Sequence, residues 1–491
     1  MVASTLTKFS TLGLSFLLIA AGPADGDWRN ALRKDAEALH DLIEKNHPGP
    51  VNIHDPEFSE RSDAALRLTL DRAERVDSYP GYVWAMRSYI ASFDDGHVLI
   101  RSTDAAPDLT VKWPGFLTGY DDVGRQVVRT ATHDSLVPLG AELIECDGVT
   151  AADLMVENVG AFRGRWELAS QRMIHGGRLF MDVGNPFVAR PKRCVFSSDG
   201  SRLSTTLQWR DLPDEELTER FGATALRFSP EIGSRTFESG TRWYSLSDFD
   251  GDVESETGKA LTALIAGMRE DAYAIQSAPR VVLDLRGNGG GSSDWSKQIA
   301  RIIWGDAELS SLQNGSDYVE WRASPDNIVA MDEYRQEYAS SPDAPQEVRD
   351  WIDAAVNGMT SALEAGEPLW REPSSDEASV NQTAGSDVSP RSSPVYILTD
   401  WTCASACLDA VDLWRALGGI QVGQETSADT LYMDIREDPL PSGLSTVGMP
   451  MKVYRGRERG SNEPWTPVHA YPGDMRSTED IEAWLVGLPA Q

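Results

Sequence analysis

Val281-Val282-Leu283-Asp284-Leu285-Arg286-Gly287-Asn288-Gly289-Gly290-Gly291 decides how this chain is read. A short β-branched run stops abruptly at a loop almost without side chains, where the main chain can approach a ligand closely. Backbone N–H groups presented there can stabilise a developing oxyanion or cradle an anion. A tight strand-to-helix turn has the same appearance, and what lifts the loop above it is a second unit downstream. There Val395-Tyr396-Ile397-Leu398-Thr399-Asp400 delivers Thr402-Cys403-Ala404-Ser405-Ala406-Cys407 to an apolar helix, marked by Leu408, Val411, Trp414 and Leu417 and stopped by Gly418-Gly419. A helix N-terminus at that point favours negative charge on Ser405 and at the N–H of Ala406. Helix capping is the other role open to a serine so placed. The pairing with the glycine loop favours a nucleophile.

Outward from these two units the chain alternates strand and helix, the α/β signature. Trp243-Tyr244-Ser245-Leu246 reads as a strand, followed by a helix over 257–275, the glycine-loop strand and a helix over about 294–304. Residues 306–394 interrupt the alternation with a partly helical, Trp- and Tyr-bearing insertion and the polar stretch 374–393, a linker by composition. Upstream, 28–102 is mainly helical, with Leu32, Ala36, Leu39, Leu42 and Ile43 at helical spacing before Asn46-His47-Pro48-Gly49-Pro50. A second helix is predicted over 62–73 and a third over 82–93, ending at Asp94-Asp95-Gly96-His97. From 109 to 209 the pattern turns β-like, with strands predicted at 126–130, 141–145 and 205–209, a separate small domain.

With 491 residues, 41% of them hydrophobic, the chain buries a sizeable core and divides into roughly two to four domains. Its net charge of -31, from 76 acidic against 45 basic residues and without a basic stripe, excludes nucleic acid as a partner. Lys8, the apolar run 12–21 and Gly22-Pro23-Ala24 read as a secretory signal over 1–24, an uncleaved anchor being the alternative. No later stretch is long enough for a membrane span. Four cysteines, Cys146, Cys194, Cys403 and Cys407, are too few for a disulfide scaffold, though export permits bridges, and their pairing is open. Cys403 and Cys407 flank Ser405, which makes a thiol nucleophile the obvious rival; packing or a local bridge suits an exported pair better. No His, Cys or carboxylate cluster has metal-ligand spacing.

The segment Asp284 to Gly291, followed by Ser405-Ala406 and preceded by Asp95-Gly96-His97, resembles the C-terminal processing (tail-specific) serine peptidases, closest to the tricorn-core branch. The resemblance spans most of the chain after the signal, the insertion and much of the β region only in outline. It implies a crotonase/ClpP-like α/β core, an N-terminal helical domain over 25–102, a PDZ-like β module over 103–215, core segments at 230–305 and 395–491, and the 306–394 insertion. It also implies a peptide or protein substrate and no cofactor. Leu139-Gly140-Ala141 and Ile144-Glu145-Cys146-Asp147-Gly148 look like PDZ strand segments, which in this family receive peptide ends; the usual carboxylate-binding loop is not recognisable.

One branch of that family activates its serine with a lysine some two dozen residues later, the other with an N-terminal histidine. Here the only lysine after Ser405 is Lys452, and Gly423-Gln424-Glu425-Thr426-Ser427, which resembles the lysine-bearing loop, has none. The resemblance therefore points to His97 as base, a structural histidine being the alternative. It points to Glu463 as an orienter acting through a further serine. The residue before the histidine is Gly96 where the tricorn-like pattern has serine, so the relay is incomplete. Asp94 or Asp95 could substitute or simply end the helix. The oxyanion hole would be the N–H of Ala406 with that of Gly289 or Gly290, Asp284 and Arg286 pinning the loop. The expected function is an exported, periplasmic or secreted, serine peptidase working through an acyl-enzyme at Ser405. Two rivals stand beside it: a non-catalytic binding protein on the same fold, and a carbohydrate-active enzyme, for which no facing carboxylate pair stands out.

Overall fold

The structure is a computed structural model that describes residues 27–489 apart from 122, 226, 314–317, 341–345 and 374–392. The expected signal and all but the last residue of the polar stretch lie outside the described residues.

Fully buried β-branched and aliphatic runs need cover on both faces, and the central six-stranded sheet supplies it. Its order is Gly233–Thr236, Arg242–Ser245, Val281–Asp284, Val395–Thr399, Ile420–Gly423, His469–Ala470, all parallel except the first strand. Alternate side chains enter opposite layers. Val281 and Leu283 share a core with Leu261, Ile299 and Val411 of helices Glu256–Glu270, Asp294–Ile303 and Ala406–Ala416. Val282, Tyr396 and Leu398 pack instead with Ile481 and Leu485 of helix Thr478–Val486. The helix predicted over 257–275 is two, Glu256–Glu270 and Ala272–Ser277, because the chain breaks at Asp271 and turns Ile275 into the core.

A second, five-stranded antiparallel sheet is built around the long strand Ser445–Arg455, flanked by Leu99–Ser102, Tyr432–Pro439 and Tyr318–Arg322, with Leu369–Arg371 at the edge. Helices Trp28–Asn46, Phe58–Ala73 and Tyr79–Ala91 lay Leu32, Leu39, Ile43 and Tyr82 against Leu444, Val447, Met449 and Val453. The helical segment thus shares its core with strands from the far end of the chain. The insertion is woven into the same sheet by its two strands, while Met331, Ile352 and Met359 of its helices cover Trp321 and Met451.

The β-rich module contains the strands Phe116–Tyr120, Gln126–Ala131, Glu142–Cys146, Arg193–Ser198 and Ser201–Thr206. The strand predicted at 205–209 lies earlier, because a two-residue Asp199-Gly200 turn, both at positive φ, fixes the hairpin register. Cys146 and Cys194 stand opposite one another on paired strands and form a disulfide.

Lys452 is buried within the second sheet, its Nζ 2.5 Å from Asp434 and over the ring of Trp321. Burial works against its charge, but Asp434 more than offsets that and holds the ammonium above its usual range. Such a lysine cannot serve as a neutral base. Lys452→Ala should therefore act through folding, lowering stability by about 3 kcal/mol in chemical denaturation by stranding Asp434. Adding Asp434→Asn should restore much of it.

Candidate active site

Val281–Asp284 and Val395–Thr399 are parallel neighbours, with Asp284 opposite Leu398, so both following loops leave the sheet at its C-terminal edge. The first loop is tied down by a pair wholly removed from solvent. Arg286 Nε donates to Asp284 Oδ1 at 2.8 Å and Nη2 to Asp284 Oδ2 at 2.5 Å, while Nη1 reaches the Met475 carbonyl. Asp400 joins the two loops: its carboxylate accepts the Gly287 N–H at 3.1 Å and the Thr402 N–H at 3.0 Å. Burial, more than its hydrogen-bond donors can offset, pushes the Asp400 carboxyl up to about 6.

Ser405 sits at φ 55°, ψ -125°, an uncommon conformation for a residue with a side chain. It precedes helix Ala406–Ala416 without capping it, since its hydroxyl makes no cap hydrogen bond. The helix-capping alternative is therefore not what this serine does. Cys403 and Cys407 are joined in a disulfide across the bend, so neither is a free thiol. A Cβ on Gly290 would lie 2.7 Å from Ser405 Cβ and 3.0 Å from the Ala406 nitrogen, at a φ of +104° that side chains rarely adopt. Only glycine fits there, and the loop lies directly on the serine. The Gly290 N–H is taken, donating to Asn288 Oδ1 at 2.8 Å. Those of Gly289, which is exposed, and of Ala406 have no partner among the described residues.

His97 follows the turn after Tyr79–Ala91 and is partly accessible, its side chain 13% exposed. Its Nδ1 is buried without a hydrogen-bond partner among the described residues, 3.7 Å from Asp95 Oδ1. Asp95 is buried; its Oδ1 accepts the His97 N–H at 2.7 Å. Burial raises the Asp95 carboxyl, with His97, Thr430 and Arg165 pulling it back in part.

Three residues outside the sequence expectation link this turn to the serine. Asp429 Oδ2 accepts the Ser405 N–H at 2.6 Å, and its Oδ1 is 3.8 Å from Arg165 Nη1. Arg165 lies over Gly96, where an added Cβ would meet its guanidinium at 2.6 Å. A side chain in place of Gly96 would have to displace that guanidinium. Asn462 spans both, its Nδ2 donating to the Asp94 carbonyl and its N–H to the Asp429 carbonyl. Glu463, one residue on, is exposed and turns back on its own loop, accepting the Gly460 N–H at 3.1 Å. The fold thus gathers the glycine loop, Ser405 and, through Asp429 and Arg165, the His97 turn. It leaves the Glu463 carboxylate in a local turn. Nothing local marks Arg165 or Asp429 in the sequence, since each acts on residues far away in the chain.

Residues 245–459 match the family model of peptidase family S41. That match identifies a peptidase S41 domain in this part of the chain and supports a serine peptidase. Among solved structures, mature CPAF aligns over 90% of this chain and 93% of its own at 14% identity, with a TM-score of 0.57. Mature CPAF complexed with lactacystin aligns over 90% and 94% at 13% identity, with a TM-score of 0.58. At such identity these likenesses speak for the fold. No curated protein matches the chain.

The raised Asp400 carboxyl has a pH signature. A folded-state value above the unfolded one contributes stability that is fully present below the ordinary carboxyl value and lost as pH rises through about 6. Relative to Asp400→Asn, the parent should lose roughly 1 to 1.5 kcal/mol between pH 5 and pH 7.5, read from urea unfolding at both values.

Proposed function

We propose that this peptidase is exported and cleaves peptide bonds through an acyl-enzyme on Ser405. The observation that carries the reading is the bent, uncapped serine beneath a glycine loop, beside two unpartnered amides. His97 takes the Oγ proton as Oγ bonds to the peptide carbonyl carbon, and the carbonyl electron pair moves to oxygen. The oxyanion lies between the N–H groups of Ala406 and Gly289, where the helix N-terminus also favours negative charge. Gly290 shapes the hole rather than donating, because its amide is held by Asn288. Collapse of the intermediate expels the amine, protonated by the imidazolium, and water then releases the acyl group by the same steps reversed.

Asp95 is the carboxylate nearest His97 and orients it; apo hydrogen bonds of this kind are often long and tighten with substrate. Glu463 joins as a second, indirect orienter once it leaves the Gly460 amide, and its neighbour Asn462 already bonds the turn that carries His97. The segment 103–215 is read as the PDZ-like module. Export is supported by the leader-like 1–24 sequence and by two disulfides, which persist in oxidising compartments.

Fluorophosphonate labelling and peptide turnover test the mechanism. Ser405→Ala should fold, fail to label and lose at least about a thousandfold in kcat/KM, and His97→Ala should lose nearly as much, because members of such a unit are not additive. Asp95→Asn and Glu463→Gln should give smaller losses carried in kcat. Labelling of Ser405→Ala, or full turnover by His97→Ala, overturns the assignment.

A further inference from the structure

A cavity of about 270 Å³ opens between helix Tyr79–Ala91 and the chain leading into strand Arg193–Ser198; no residue of the site above lines it. Its wall includes Trp84, Arg163, Arg178, Asp182, Asn185 and Arg190. Three wall atoms are buried polar groups without a partner among the described residues: Trp84 Nε1, Arg163 Nε and Asn185 Nδ2. All three are hydrogen-bond donors. Buried donors left unmatched are rare in native proteins, and three on one cavity ask for an acceptor that the described residues do not supply.

The charges repeat the pattern. Asp182 is the one acid of the wall and pairs with Arg190. Among the described residues no carboxylate pairs with Arg163 or Arg178. Arg178 Nε donates instead to His175 Nδ1 at 3.1 Å, and burial followed by the surrounding arginines pushes His175 down to about 2, keeping it neutral. Arg87 and Arg163 lie over the Trp84 ring, 5.1 and 5.8 Å from its centroid. Burial, then repulsion from Arg178 and Arg87, lowers Arg163; burial, then Arg87, lowers Arg178 to about 10, which leaves Arg178 cationic at neutral pH. Arginines grouped here with no carboxylate paired to Arg163 or Arg178 among the described residues stand out in a chain of net charge -31. Apolar wall residues such as Leu179 and Val188 give the cavity a second character.

We propose that this cavity is a binding site for a small organic anion, whose carboxylate or phosphate head takes Arg163, Arg178 and the N–H groups of Trp84 and Asn185. Its apolar body rests against Leu179 and Val188. A cavity of roughly 150 Å³ accepts benzene, so a single ring with a charged head fits. The proposal is independent of the chemistry at Ser405.

Isothermal titration of the full Ser405→Ala chain with phenyl phosphate, benzoate and neutral benzamide tests it, the two anions telling a phosphate from a carboxylate head. At least one anion should bind one-to-one, more weakly as salt rises, and benzamide should not. Arg163→Gln with Arg178→Gln should weaken that binding at least tenfold. Trp84→Phe, which keeps the ring and removes the donor, should weaken it severalfold. Asn185→Asp supplies the missing acceptor from within, so it should abolish binding while raising the melting temperature of the free protein. Should the double arginine variant not fold, the Trp84 and Asn185 variants carry the test. Silence towards both anions, equal binding of benzamide, or undiminished affinity in the folded variants overturns the proposal.

Discussion

Two parallel strands that end level with one another are the constraint on which the rest of this molecule depends. Because Val281–Asp284 and Val395–Thr399 are hydrogen-bonded neighbours, the loops that follow them must leave the sheet side by side. One carries little but backbone, the other turns sharply into a helix, and their contact creates both the bend at Ser405 and the row of amides beside it. Shifting either strand by one residue would exchange the faces of every side chain on it and part the loops.

Buried charge holds this arrangement in place. Asp284 with Arg286, Asp400 beneath both loops, and Asp429 beside the partly buried Arg165 are removed from water, which costs free energy that the partners only partly return. Hydrophobic residues of equal volume would pack without that cost. What they could not do is direct hydrogen bonds at the amides of Gly287, Thr402 and Ser405, which hold the loops where the sheet has ended. The arginines around Trp84 are the contrasting case, charges stacked on an indole ring with no carboxylate paired to them among the described residues.

Much of this was legible from the residues in order. The two strands were, because fully buried parallel strands are unbroken apolar runs, and so was the place of Ser405 at a strand-to-helix junction. The break at Asp271 and the displaced strand near 205 were not, since a helix boundary follows tertiary need and a hairpin register follows its turn. The weaving of 306–394 into the sheet of Ser445–Arg455 left no trace in composition, because strand pairing is a relation between distant segments.

The sequence by itself determined the local chemistry: apolar runs that must be strands, glycines that free the main chain, a serine between small residues and a histidine after a helix. Only the tertiary structure decided how these are used. It joined Cys403 to Cys407, spent the Gly290 amide on Asn288, set Arg165 over Gly96 and Asp429 under Ser405, turned Glu463 onto its own loop, and gathered the arginines around one cavity. The physical reason is range. Backbone preference and hydrophobic period act over a few residues and are written in order along the chain, whereas hydrogen bonds and charge pairs are set by proximity in space, which many distant strand pairings must first create.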